Sequence, residues 1–348
     1  MTQKKPNMKI RLFSILLPLT VAGVLFFSCK RDRFSINLTG ESVDLEIMRL
    51  EEDLFNTDPG MISEQIPVLK EKYGTFLQLL SNVINAGDVN DPEFGDYLTI
   101  FVTDRLNNEV YSGVMKLYPD VSSIETDLEE AFSHYNHYFP DRVVPSVYTC
   151  ITGFNSSIIT GDSVLGISLD RYLGAESSYY PRLMIYSYLS ARMTPEYIVP
   201  DAVYGWGASE WYYPGMGYTS ETVLSALIHE GKLKYYVRSM LPELPDEIIF
   251  GFTSDQMKFC RNNEGQMWQY LVENDLLFKT DQFTVRKLTG EAPFTSFFTN
   301  ESPGRAAVWL GYRIAESFME RNQDTSLEEL LNMTDVQLIV EKAKYNPR

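Results

Sequence analysis

At 348 residues, with 44% apolar and 13% aromatic side chains, the chain can bury a sizeable core and is too hydrophobic to be disordered. Its 47 acidic residues against 30 basic ones give a formal net charge of −17. An acidic excess on this scale argues against nucleic acid and anionic membrane surfaces as partners, and otherwise describes a solvated surface.

The first 28 residues have the layout of a secretory signal. Lys4, Lys5, Lys9 and Arg11 form a basic start, and the uncharged run LFSILLPLTVAGVLFFS leads to Cys29. FFSC resembles a loose lipobox, with small Ser28 before the cysteine and Phe26 where Leu is usual. Cleavage there makes Cys29 the lipid attachment site, and its acyl chains suffice for stable anchoring in a membrane. An uncleaved signal anchor is the alternative. The basic KRDRF that follows, in place of an acidic run, favours an outer-membrane lipoprotein facing the periplasm. Residues 29–43 read as a polar tether, and 44–348 as a single domain.

Along that domain, DLEIMRLEEDLF (44–55) starts as a strand and turns helical. EQIPVLKEKYGTFLQLLSNVI is helical and interrupted at Pro67 and Gly74. PEFGDYLTIFVTDRLNNEVYSGVMKLYP has apolar residues at helical spacing, and VSSIETDLEEAFSHYNHYFP sets Ile124, Leu128 and Phe132 on one face. From about 142 to 170 the segments are short, β-branched and punctuated by Gly and Pro, predicting a small sheet of about three strands. Helices resume with PRLMIYSYLSARM (181–193) and TPEYIVPDAVYGW, where Thr194-Pro195 opens a helix. GWGASEWYYPGMGY (205–218) reads as an aromatic loop, either core packing or a ligand-facing lip. The segment after it predicts a helix capped by Thr219 or Ser220 that ends before Pro242, with Leu224, Leu227, Ile228, Gly231 and Tyr235 inward and Lys232 in solvent. One long helix is expected over TSDQMKFCRNNEGQMWQYLVENDLL, and three more close the sequence. The fold class is therefore mainly α with a small β-sheet.

Few residues offer chemistry. With Cys29 lipidated, Cys150 and Cys260 remain, and their apolar surroundings favour two buried thiols over a disulfide. No P-loop, dinucleotide fingerprint or nucleophile elbow is present. The three histidines are His134, His137 and His229. His229-Glu230 begins like the H-E-x-x-H motif of zinc peptidases, in which two histidines one turn apart share an ion and the Glu is general base. Leu233 stands where the second His belongs. A three-histidine site would have to recruit His134 and His137, spaced i, i+3, from afar. Carboxylates such as Asp104, Asp201, Glu210, Glu264 and Glu301 are scattered and cannot be paired from sequence.

Several stretches nonetheless resemble a known family: RLEEDLF, HYFP followed by VPSVYTCITGF, LDRYLG, YIVPDAV, the segment GYTSETVLSALIHEGKLKYYVRSMLPELPD, GFTSDQMKFCRNNEGQMWQYLVENDLLFKTD and ESPGRAAVWLGYRIAESFME. In that order they look like the gliding motility lipoprotein GldB family of Bacteroidetes, with NESPGR the most distinctive piece. The resemblance implies a membrane-bound lipoprotein, in a family tied to gliding machinery that also occurs in non-gliding members of the phylum. It further implies distant kinship to zincin-like metallopeptidases, whose third ligand comes from an EG step like Glu230-Gly231. On that view an H-E-x-x-H helix belongs near 181–193, which has no His. The expected product is a degenerate zincin-like helical domain: a non-catalytic lipoprotein with no cofactor, a scaffold or binding module for envelope protein partners. A cryptic zinc metallohydrolase using His229 and Glu230 is the alternative.

Overall fold

The computed structural model describes residues 1–2, 34, 36, 38, 40–217 and 220–347. The signal segment beyond residue 2, Cys29 and most of the tether lie outside the described residues. Every element below belongs to the unit Leu38–Arg348.

The chain is mainly α with a small four-stranded sheet. Strand β1 (Ile47–Arg49) passes directly into helix α1 (Leu50–Phe55), as the change of pattern within 44–55 predicts. Helix α2 (Ile62–Tyr73) runs through Pro67 without breaking. Ser63, four residues back, and Pro67 are both exposed, so the carbonyl deprived of its helical partner lies within reach of water. The break falls at Gly74, whose φ of +49° suits a residue without a side chain, and α3 (Thr75–Ile84) follows. Helices α4 (Phe94–Thr103) and α5 (Arg105–Leu117) divide at Asp104, which accepts the Asn107 N–H as an N-cap. In α6 (Ser122–Tyr138) Ile124, Leu128 and Phe132 are all buried.

Strands β2 (Ser146–Cys150), β3 (Ile158–Gly161) and β4 (Val164–Ser168) complete the sheet in the order β1-β2-β4-β3. β1, β2 and β4 run parallel, with Ile47 opposite Val147 and Val147 opposite Leu165, while β3 is antiparallel to β4. The sheet thus has one strand more than the 142–170 stretch predicts, because β1 joins it from about a hundred residues away. Side chains alternate across it. Phe76 and Leu79 of α3 press where a Cβ on Gly166 or Gly161 would sit, whereas Ile158 packs against Gly205 on the other face. Helices α1 to α4 and the sheet share a core that includes Leu50, Tyr73, Phe76, Phe94, Tyr148 and Cys150.

The 181–193 segment is not one helix. It forms two single turns, α7 (Tyr179–Arg182) and α8 (Ser187–Ser190), joined by Met184 at φ +57°. Helix α9 (Ile198–Glu210) follows a 3₁₀ turn at Pro195–Tyr197 and claims the first half of the expected 205–218 loop. Trp206 and Trp211 are buried and Tyr212 is exposed. Helix α10 (Val223–Met240) starts later than expected: the cap is Thr222, in a reciprocal capping box with Ser225, so Glu221 precedes the helix.

After α11 (Asp246–Phe250), the long helix expected over 253–277 is two. Helix α12 (Ser254–Asn262) opens on a capping box between Thr253 and Gln256, and Asn263 closes it by donating its side-chain N–H to the Phe259 carbonyl. Helix α13 (Glu264–Glu273) then starts afresh. Helix α14 (Gln282–Thr289), capped by Asp281, and helices α15 (Ala307–Arg321), α16 (Leu327–Asn332) and α17 (Val336–Ala343) complete the fold. Cys150 on β2 and Cys260 on α12 are buried free thiols.

α10 is the axis of the second core. Of its residues only Glu230 and Arg238 are not fully buried. It crosses α15 glycine to glycine: a Cβ on Gly231 would meet the Gly311 carbonyl carbon at 2.0 Å, and one on Gly311 would meet the Leu227 oxygen at 1.7 Å. The inward stripe of Leu224, Leu227, Ile228, Gly231 and Tyr235 is as expected. Lys232 is not in solvent. It is 1% exposed, and its ammonium donates to the carbonyls of Leu331 and Met333 at 2.9 and 2.7 Å, where α16 ends. The four carbonyls that a helix end leaves open make that a natural place for a cation.

Candidate functional site

His229 and Glu230 are neighbours on α10, so their side chains diverge by about 100° and meet different surroundings. The His229 ring lies 5.1 Å from that of Tyr213. Burial, helped by the Lys232 charge, lowers its pKa to about 3, which leaves the imidazole neutral at ordinary pH. Glu230 turns toward α9, where the Tyr204 hydroxyl donates to it at 2.8 Å. Leu233 is buried. The other histidines are equally dispersed. His134 is buried on α6 and its Nδ1 has no hydrogen-bond partner among the described residues, while His137 Nδ1 sits 2.6 Å from Glu41 at the surface. Among the described residues no group of three or more His, Cys, Asp and Glu is placed to hold a metal ion.

The scattered carboxylates find separate duties. Asp104 caps α5, Glu210 joins Glu328 around Arg142, and Glu264 takes hydrogen bonds from Trp309 and Tyr345. Glu301 is exposed. Asp201 is different, because it lines a cavity of about 390 Å³ next to Glu230.

Besides Ser156–Ile158, five separated stretches build that cavity. α9 contributes Asp201 and Tyr204, one turn apart, and α10 contributes Lys234, one turn beyond Glu230. The 181–193 segment, which in the zincin-like expectation is a helix, supplies Arg192 from a turn instead. Arg171 comes from the turn after β4, held by the Ser157 hydroxyl and the Phe154 carbonyl. The fifth stretch is NESPGR with the residues before it. Thr295 accepts the Ala306 N–H and donates to the Pro303 carbonyl, and Gly304 passes so close to Ala292 that a Cβ would meet its oxygen at 2.0 Å. This tight hairpin holds Arg305 at φ +51° and aims its guanidinium at Glu291. Arg192 and Arg305 both pair with Glu291 Oε1 at 2.8 Å.

Electrostatics inside the cavity are costly. Burial raises the Asp201 carboxyl above its ordinary range against the pull of Arg192 and Lys234. Burial, reinforced by Arg305, lowers Lys234 to about 7 while Glu230 and Asp201 pull the other way. The Lys234 ammonium stands 4.5 Å from the Tyr204 ring centre and donates to the Ile249 carbonyl. The charged residues of a wider cavity of about 600 Å³ are all exposed carboxylates (Asp120, Asp127, Glu130, Glu196, Glu243), set in a lining that is otherwise largely apolar.

Around this cavity the sequence singled out Glu230, which adjoins it through Tyr204, and named Asp201 only among carboxylates that it could not pair. The i, i+3 spacing of Asp201 and Tyr204 and the i, i+4 spacing of Glu230 and Lys234 were visible, but each pair reads equally well as a solvated helix face. Arg192 carried no local signal, and Arg305 stood out only as the last residue of NESPGR.

The family model described as gliding motility protein GldB matches residues 31–347 of this sequence. No curated protein and no solved structure matches.

Proposed function

The chain belongs to the gliding motility protein GldB family, and from that premise we propose that it is an envelope lipoprotein anchored through Cys29 whose body is a non-catalytic scaffold or binding module. Membership in this lipoprotein family points to the cell envelope. The location assigned within it is the outer membrane, with the body facing the periplasm and engaging envelope proteins. No cofactor is required by this reading.

One observation carries the non-catalytic part. His229 and Glu230, the pair that begins like a zinc motif, diverge into separate environments, His229 against Tyr213 and Glu230 against Tyr204. A hydrolytic zinc needs three converging protein ligands and an open position, and Glu230 is instead held by a tyrosine. Lys234 and Arg305 stand next to the same cavity and disfavour a dication there.

Metal analysis of the purified protein tests this. No stoichiometric zinc is expected, and zinc that disappears in His229→Ala would overturn the non-catalytic reading. The anchor is tested by labelling cells with a clickable fatty acid: the protein should carry label and Cys29→Ser should lose it. Label persisting on Cys29→Ser would refute the assignment. Crosslinking and pull-down from solubilised envelopes should recover defined protein partners.

A further inference from the structure

Opposite charges taken out of water normally close into direct pairs, because only contact offsets their desolvation. Arg192 and Arg305 follow that rule on Glu291. Asp201 and Lys234 do not. Among the described residues neither forms a direct ion pair, although both line the cavity; Asp201 feels Arg192 ahead of Lys234, and Lys234 feels Arg305 and Glu230 ahead of Asp201. Asp201 takes one side-chain hydrogen bond, from the Tyr172 hydroxyl to Oδ2 at 3.0 Å, and retains acceptor capacity. Lys234 gives one of its three N–H donors to the Ile249 carbonyl at 2.8 Å. One under-used carboxylate and one under-used ammonium therefore share a fixed cavity, each too poorly solvated to be at ease with its charge.

The walls are rigid enough to keep them apart. Asp201 and Lys234 sit on the helices α9 and α10, Arg171 is tied to Ser157 and Phe154, and Arg305 is locked by its hairpin and Glu291. A plain anion entering this space would meet the Asp201 carboxylate. A plain cation would meet Lys234 with three arginines behind it. A molecule carrying both charges at short separation satisfies both walls at once.

We propose that this cavity is a receptor site for a small zwitterion of the α-amino-acid class, its carboxylate taken by Lys234 and the near edge of Arg192 and its ammonium by Asp201. The volume of about 390 Å³ lies within the small-ligand range and suits an amino acid or a dipeptide. Tyr204, Ile158 and the Ser156–Ser157 turn add to the lining. The assignment rests on the binding-module reading. Its failure would leave the lipid anchor and the metal result standing, since those are measured by label and by zinc content.

The test is calorimetric titration of the full-length protein in detergent with each common amino acid, D-alanine and glycylglycine. Acetate and methylammonium serve as half-probes that carry one charge each. At least one zwitterion should bind saturably, with both half-probes weaker by about tenfold or more. Asp201→Asn and Lys234→Met should each weaken that zwitterion about tenfold or more. Arg192→Gln, at the partly exposed edge of the cavity, should weaken it as well and gives the same readout where Lys234→Met does not fold. Absence of saturable binding by every zwitterion, acetate binding as tightly as the best zwitterion, or binding indifferent to both Asp201→Asn and Arg192→Gln would each overturn the proposal.

Discussion

Adding one methyl group at Gly231 tests the crossing of α10 and α15. In the native packing that carbon would sit 2.0 Å from the Gly311 carbonyl carbon and 2.2 Å from the Tyr312 nitrogen, both backbone atoms that no rotamer change can move. Relief requires the helices to separate by about 1 Å or more, and a gap of that size forfeits about a quarter to a half of the dispersion energy of each lining contact. Leu227, Ile228, Val308 and Leu310 are all buried beside the crossing. Overpacking costs typically about 1–3 kcal/mol and more where, as here, the backbone must yield, offset by about 1 kcal/mol because Ala favours helix over Gly. Gly231→Ala should therefore lose about 2 kcal/mol or more. Gly113→Ala is the matched control: it is also helical, and its nearest neighbour, a Tyr179 ring carbon at 3.9 Å, is at ordinary contact distance. It should gain about 0.5–1 kcal/mol from propensity alone. Urea unfolding followed by tryptophan fluorescence measures both, provided the denaturant slope is unchanged. A Gly231→Ala protein within about 0.5 kcal/mol of wild type would refute the close-crossing argument.

His229 should make the protein acid-sensitive. Its folded pKa of about 3 lies below the ordinary 6.5, so the unfolded chain binds the extra proton and stability falls as pH drops through that interval. The full swing is up to about 5 kcal/mol, and His229→Phe should show a shallower loss of urea midpoint than wild type; parallel curves would disprove it. Lys232 has the same sign at the other end of the scale. Folded at about 7 against 10.5 unfolded, it contributes a rise in stability with pH between those values, fully present only above 10.5. Lys232→Met should lack that rise relative to wild type, and an unchanged alkaline difference would contradict the buried-ammonium reading. Asp170, fully buried, accepts the Phe154 N–H at 2.6 Å, the Thr152 N–H and the Ser168 hydroxyl. Asp170→Asn turns an amide N–H₂ against these donors and should cost about 2–4 kcal/mol; a loss below about 1 kcal/mol would mean the turn after β2 does not depend on the carboxylate.

Elements whose cause is local were readable. The strand-to-helix change within 44–55, the stripe on α6, the strands between 142 and 170 and the C-terminal helices all declare themselves by period and punctuation. What escaped was set by distance. β1 is a sheet strand only because β2 lies beside it, and nothing within 44–55 shows that pairing. Lys232 looked solvated because a lysine is usually so; its burial is decided by carbonyls about a hundred residues later. The same holds at the cavity. Glu230 stands out for its neighbour His229, yet what it meets is Tyr204, and the arginines of the adjoining cavity arrive from Arg192 and the 291–305 hairpin. The 181–193 stretch misled because its apolar residues suggest a helix, whereas the chain turns there and leaves Met184 and Tyr186 exposed.

The burial of α10 on all sides also dictates an order of events. Its neighbours include α6 and α9, which precede it, and α14 to α17, which follow. Before α16 is in place the Lys232 ammonium has no carbonyls to receive it, and before α15 arrives the Gly231 face has nothing against it. A chain emerging N-terminus first, from a ribosome or a translocon, therefore carries this helix incompletely buried until α17, ending at Ala343, is out. Packing of this helix must wait for that release, and over that interval the nascent chain exposes an apolar segment that is prone to seek another partner.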